Sequence, residues 1–251
     1  MATKTAKKTE TADTTENVNL TKFLSVKPTF KKFSLWLIGD APLITHAWSQ
    51  KARLEMLQKQ VKSAKAGREA RDPHSDYISS LYQFGDGSYG FPAMGVKNCI
   101  LSAAHKDKGI PRSVVQSALW LYAPIVRLDT ALGDAICDMP LLKIFGSEPE
   151  MREDMVKIGS GLNKTASLAY RGQFTTWALK IEGKFNASVL NDDVLLYLLE
   201  ECGHATGIGE WRNEKKGVFG SFHVAKEHEI AEWDAFANGT GPLPQVNSAL
   251  V

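Results

Sequence analysis

The stretch Gly203–Val224, GHATGIGEWRNEKKGVFGSFHV, constrains this chain more than any other. It holds five of the chain's twenty glycines. Glycine lets a backbone turn sharply or pass close to another chain, so the stretch reads as a loop folded tightly on something. Trp211, Arg212, Lys215, Lys216 and Phe219 are interleaved with the glycines. Arginine and lysine neutralise phosphate, and aromatic rings stack on bases. Apolar and polar residues then alternate over Val218–Val224, the pattern of a strand. Two readings stay open from the stretch alone. It is a contact surface for a polyanionic strand, or it is a link between a helix and an edge strand, with Trp211 and Phe219 tucked into the core.

The rest of the chain narrows the classes of function. With 251 residues, 43% of them hydrophobic, there is material for one large domain with a sizeable core. No run of eighteen apolar residues predicts a membrane span, and Met1–Asn19 lacks the apolar core of a signal peptide. Cys99, Cys137 and Cys202 are scattered and odd in number, which suits a reducing, cytoplasmic setting. No Cys-x-x-Cys or His-x-x-x-His pair is present, so neither a metal nor a cofactor is expected. P-loop, Gly-x-Ser-x-Gly and dinucleotide fingerprints are also missing. Net charge is only +2, but it is uneven. Lys51–Arg71 carries seven basic and two acidic residues, whereas Glu227–Val251 carries four acids and no Lys or Arg.

Taken in order, residues 1–25 are a polar, basic arm expected to be disordered. Residues 26–238 are expected to form a single domain, followed by a flexible tail over 239–251. Phe33–Gly39 (FSLWLIG) reads as a buried central strand. Ala47–Ala66 has Leu54, Leu57, Val61 and Ala64 at helical spacing, with Lys51, Lys59, Lys62 and Lys65 roughly opposite. Pro92 opens a helix over residues 92–104 that carries Lys97 near its first turns. Ala118–Leu128 is strand-like but interrupted by Pro124, which suits an edge or a bulge. A short strand is expected at Leu141–Phe145, with weak alternation over Met151–Ile158. Thr165–Ile181 reads as a long strand or a hairpin. Asn191 caps a helix to Cys202, with Asp192 and Asp193 in its first turn. Trp36 and Trp177 are expected in the core. The strongest elements run strand 33–39, helix 92–104, strand 118–128, strand 170–182, helix 191–202, strand 218–224. This predicts an α+β fold with a ferredoxin-like, RRM-like βαββαβ core. Two long insertions, at about 40–91 and 129–169, depart from the minimal unit.

Three segments of the chain resemble the repeat-associated mysterious protein (RAMP) superfamily, whose RRM-like members form the backbone of CRISPR effector complexes. Leu43–Ala47 (LITHA) stands where the family has an early loop. Phe91–Ala104 is similar to its first helix, opened by a small residue and a lysine. Gly207–Gly220 is similar to its glycine-rich loop before the last strand, although WRNEKK divides it here. The chain is read as a relative of the backbone-subunit type, of phage origin. The resemblance implies a non-enzymatic subunit that assembles side by side, as a homo-oligomer or filament, along single-stranded RNA or DNA.

The residues expected to contact nucleic acid are His46, Lys51, Lys59, Lys62, Lys97, Arg152, Arg171, Trp211, Arg212, Lys215, Lys216 and Phe219. No catalytic residue is expected. Two rivals remain: a structural or assembly protein without nucleic acid, and a metal-independent endoribonuclease using His46. The second follows from the resemblance, since an early histidine serves as general base in nuclease relatives. His223 is read as structural. The adjacent acids Glu153 and Asp154 fall on opposite faces of a strand, so they cannot jointly hold a metal.

Overall fold

The computed structural model describes residues 27–47, 72–107, 109–128, 137–159 and 165–245. The basic arm, the helix expected over 47–66 (beyond Ala47) and the end of the tail lie outside the described residues.

The fold is α+β, built on antiparallel sheets. Its centre is β1, Phe30–Gly39, whose last four residues are buried. It pairs along its whole length with β10, Trp177–Asn186, from Phe30↔Asn186 to Ile38↔Ala178. On the other edge of β1 lies β11, Phe222–Val224. Beyond β10 lies β5, Leu119–Tyr122, in register Lys184↔Trp120. Helix α2, Ala93–Asp107, lies between β1 and β5 in the chain, and α4, Asp192–Glu201, lies between β10 and β11. The resulting order β11-β1-β10-β5, all antiparallel, is that of the expected ferredoxin-like βαββαβ core.

One face of this sheet packs on the helices. Leu37, Leu179, Ile181 and Phe185 meet Val96, Ile100 and Ala104 of α2 and Leu195, Leu198 and Leu199 of α4 in one buried cluster. Asn191 caps α4 as expected, its side-chain oxygen accepting from Val194 N–H at 2.7 Å. A fifth helix, α5 (Glu227–Ala237), covers half of the other face. Its Trp233 packs on Trp36, Ile38 and Ala178, and Trp36 Nε1–H donates to Asp234 at 3.0 Å. No helix was expected there, although Ile230, Trp233 and Phe236 recur every third residue. Trp36 and Trp177 are core residues, at 2% and 0% exposure.

Element ends depart from expectation for local reasons. The stretch 118–128 divides into the end of α3 (Arg112–Ala118), β5 and β6 (Ile125–Leu128). Pro124 stands between β5, which pairs with β10, and β6, which pairs with β7 (Cys137–Gly146). The expected strand 170–182 is one long strand interrupted at Thr175 and Thr176. Strand β9 (Thr165–Phe174) runs on into β10 without reversing, since the two do not pair and each runs antiparallel to the same advancing chain, β9 beside Leu43–Thr45 and β10 beside β1. The last strand begins at Phe222 rather than Val218, because Phe219 N–H and Gly220 N–H donate to Trp211 and Pro42 instead of to a ladder.

The insertions fall into two groups. Strands β3 (Tyr82–Gln83) and β4 (Tyr89–Pro92) widen the main sheet through β4–β7 pairing, while helix α1 (Pro73–Ser79) packs against β9. The second group is a separate sheet, β2-β9-β8, with β2 Leu43–Thr45 and β8 Glu150–Ile158. This sheet continues the main one. Strands β1, β10 and β7 lie side by side, and across a break the same chains become β2, β9 and β8.

Trp177 fills that break. Its Nε1–H donates to Ala41 C=O at 2.8 Å, and its ring meets Phe222 edge-on at 6.3 Å. A Cβ at Gly39 would overlap the indole. Truncating so buried a tryptophan costs about 3–5 kcal/mol. Trp177→Ala is therefore expected to lose stability of that order in urea titration, a large part of the roughly 5–15 kcal/mol of an ordinary domain. A loss below about 1 kcal/mol would show that the break is not packed this way.

Candidate nucleic-acid interface

The glycine-rich loop leaves α4 through one π-helical turn, Cys202–Thr206, and returns to β11. It lies along the free edge of β2. Glu210 N–H donates to Ile44 C=O at 3.0 Å, and Gly220 N–H to Pro42 C=O at 2.9 Å. At Gly220, φ is +66° and a Cβ would overlap the carbonyl of Ile208. At Gly217 a Cβ would overlap that of Trp211. These two glycines therefore let the loop close on itself. The closure holds Trp211 at φ +53°, a left-handed conformation that costs a non-glycine residue about 1–2 kcal/mol. Phe219 N–H donates to Trp211 C=O at 3.1 Å, and Arg212 and Phe219 form an isolated bridge. A turn of 3-10 helix, Asn213–Lys215, carries the basic residues at the tip.

The β8–β9 hairpin brings its arginines to this loop. Alternate residues share a strand face, so Glu150, Arg152 and Asp154 lie together, opposite Gln173, Arg171 and Ala169 of β9. The Arg152 guanidinium sits 4.6 Å from the centroid of Phe219. It donates to Asp154 at 2.8 Å and to Gln173 Oε1 at 2.8 Å. Arg171 is buried and donates to the other oxygen of Asp154 at 3.4 Å. Its Nε–H has no partner among the described residues. One carboxylate thus serves two guanidinium groups, and a donor is left over.

His46, just past β2, adds a third segment. Its Nδ1 lies 3.5 Å from Glu210 Oε1, and more than half of its side chain is exposed. The hydrogen bond from His46 holds the Glu210 carboxyl below its usual range, against the effect of burial. The nearby charges of Arg171 and Arg212 act in the same direction. Arg212 is turned inward, donating to Gly209 C=O at 2.9 Å and to Glu214 at 3.0 Å. Lys215, Lys216 and Trp211 remain exposed, Trp211 at 37%.

His46, Arg152, Arg171, Trp211, Arg212, Lys215, Lys216 and Phe219 are thus brought to one side of the molecule, from three segments distant in sequence. Lys97 is elsewhere: it reaches toward Trp120 on the other half of the main sheet. Lys51, Lys59 and Lys62 lie outside the described residues. Asp154, Gln173, Glu210 and Glu214 were not anticipated. Two of them carried a signal, since Arg152-x-Asp154 and Arg212-x-Glu214 each place an acid two residues from an arginine. Glu153 is exposed and Asp154 buried, on the opposite faces expected.

Among the described residues, no three His, Cys, Asp or Glu side chains are grouped to hold a metal ion, and no helix is long and apolar enough to cross a membrane. No protein-family description matches the chain, and no curated protein does. Among solved structures the chain is similar to Cmr6 from Pyrococcus furiosus, at 7% identity and a TM-score of 0.37. That match covers 79% of this chain and 100% of the other. A likeness of this degree carries no argument about function.

His223 closes the loop's C-terminal side. In β11 its Nδ1 lies 2.7 Å from Asp40 Oδ1, and its Nε2 lies 3.2 Å from both oxygens of Glu229 in α5. The hydrogen bond to Asp40 raises its pKa, and the Asp40 charge and Glu229 add to this, while burial opposes. A folded-state pKa above the unfolded value, about 6.5, gives stability that is whole below that pH. It is lost as pH rises through the raised value. His223→Gln is expected to lower the melting temperature at pH 6, with the gap to wild type closing toward pH 9. A gap that stays constant with pH would mean that the imidazole is neutral throughout.

Proposed function

We propose that the chain binds single-stranded nucleic acid through the surface where the glycine-rich loop meets the β8–β9 hairpin and the end of β2. The carrying observation is the convergence there of cations and aromatic rings from three segments. Arg152 lies over Phe219, so the other face of its guanidinium plane offers a stacking surface of the kind that receives splayed bases. Lys215 and Lys216 stand at the rim as phosphate contacts. The exposure of Trp211 favours a stacking role over the core position weighed against it. The protein acts as a non-enzymatic subunit that places copies side by side along RNA or DNA, the role its sequence resemblance implies.

A second reading draws on one pairing. His46 beside Glu210 resembles a base with its orienting carboxylate, as metal-independent RNA cleavage would need. Among the described residues, the rest of the cluster offers guanidinium and ammonium groups and no second histidine to complete an acid–base pair. Labelled RNA is therefore expected to stay intact with the protein in EDTA. Cleavage that His46→Ala abolishes would replace the first reading by the second.

Stacking is worth about 1–3 kcal/mol per base by alanine substitution. Trp211→Ala should weaken binding to a labelled oligouridine or oligothymidylate about five- to a hundredfold, without loss of melting temperature. Lys215→Ala with Lys216→Ala should reduce the salt slope by about 1.4, at roughly 0.7 per single-strand phosphate contact. Wild-type affinity and slope in both variants would remove the loop from the interface.

A further inference from the structure

The main sheet has a second half-face that α5 does not cover. Directly paired residues of antiparallel strands point to the same side. The register places Lys32, Lys184 and Trp120 in one row across β1, β10 and β5. Ser34, Glu182 and Tyr122 form the next row, and Phe30 and Asn186 lie beyond. The ring faces are open: Trp120 is 60% exposed, Phe30 56% and Tyr122 40%. Lysine amines attend two of them. Lys97 Nζ, from α2, lies 5.8 Å from the Trp120 centroid, and Lys184 Nζ lies 5.5 Å from that of Phe30. The same Lys97 amine also donates to Gln116 C=O at 3.5 Å.

Resting on the reading above, we propose that this half-face is a second platform for the same single-stranded nucleic acid. Bases stack on Trp120, Phe30 and Tyr122, while Lys32, Lys97 and Lys184 hold phosphates. Charge complementarity selects this occupant. Among the described residues of this half-face, three amines stand against one carboxylate, Glu182, so a purely apolar partner would desolvate cations without pairing them. A strand of nucleic acid supplies a flat ring and an anion at every step. Trp120 and Tyr122, two residues apart on one strand face, are about 6.7 Å apart along it, room for separate bases. The platform is far from the loop. Seven residues of β10 separate Trp177 from Lys184, about 23 Å at strand rise.

The test is anisotropy titration of fluorescein-labelled oligouridine and oligothymidylate against the full chain. Trp120→Ala is expected to weaken binding about five- to a hundredfold, with the salt slope and melting temperature unchanged. Lys184→Ala is expected to lower the slope by about 0.7. Should Trp120→Ala fail to fold, Tyr122→Ala and Lys184→Glu carry the same expectation of weaker binding. If Trp120→Ala and Lys184→Ala both bind as wild type while Trp211→Ala is weakened, the platform is overturned and the loop site stands. If the wild type binds neither probe, both readings fall together. A dimer seen by light scattering that Trp120→Ala dissociates, with affinity for the probes unchanged, would assign the face to a second copy instead.

Discussion

The break between the two sheets depends on a single side chain. Three neighbouring strands reach the break together, and their hydrogen-bond ladder cannot continue through it. Trp177 substitutes for the missing ladder by donating to Ala41 C=O on one side, while Gly146 pairs with it on the other. Ser147 ties the same corner: its N–H donates to Thr176 C=O at 2.9 Å, and Thr176 N–H donates back to its hydroxyl at 3.3 Å. The indole needs room, and Gly39 supplies it. Because the break is packed rather than loose, β2, β9 and β8 project from the main sheet in a fixed direction. The edge of β2 is then positioned to receive the glycine-rich loop, and β8 to bring Arg152 over Phe219.

The charges at this junction are nearly balanced within the protein. Asp154 faces Arg152 and Arg171, Glu214 faces Arg212, and Glu210 faces His46. Pairing makes it feasible to bury a guanidinium such as that of Arg171, because an unpaired buried charge costs several kcal/mol. It also weakens the long-range pull on a polyanion. For a strand bound as proposed, attraction at a distance then falls to the exposed Lys215 and Lys216, while the arginines would act at contact range through stacking and directed hydrogen bonds. A surface of this kind is expected to have a modest salt dependence and a strong dependence on its rings.

The core was legible because its signals are local. Phe33–Gly39 is a continuous apolar run, Asn191 is a strong cap, and Pro124 marks where the chain changes strand partner. The long strand through Thr175 and Thr176 was half legible, since alternation persists along β9 and β10 and carries no mark of the break between them. Helix α5 was obscured by the Gly- and Pro-containing tail beside it, although Glu229, which accepts from the Lys226 N–H at the helix start, and the Ile230, Trp233, Phe236 spacing were present. The candidate interface was legible as residue types and illegible as an arrangement. Nothing in spacing says that Arg152 meets Phe219, because that contact depends on β8 being the continuation of β7 across the break. The role of the glycines was also out of reach. Gly217 and Gly220 face the loop's own carbonyls, and only the path of the chain reveals this.

The uncovered half-face follows from where α5 stops. Trp233 needs Trp36, Ile38 and Ala178 beneath it, and those residues are apolar only at the end of β1 and β10 nearest the break. Farther along, the same face changes to Ser34, Lys32, Lys180, Glu182 and Lys184, which no apolar helix could cover without desolvating them. Asp234 marks the boundary, accepting from Lys180 at 2.9 Å as well as from Trp36. Rings that remain exposed beyond such a boundary are not unfinished core, because the amines among them would oppose any apolar cover. Two aromatic and basic surfaces therefore lie toward opposite ends of β10, and the rigidity of that strand fixes the distance between them.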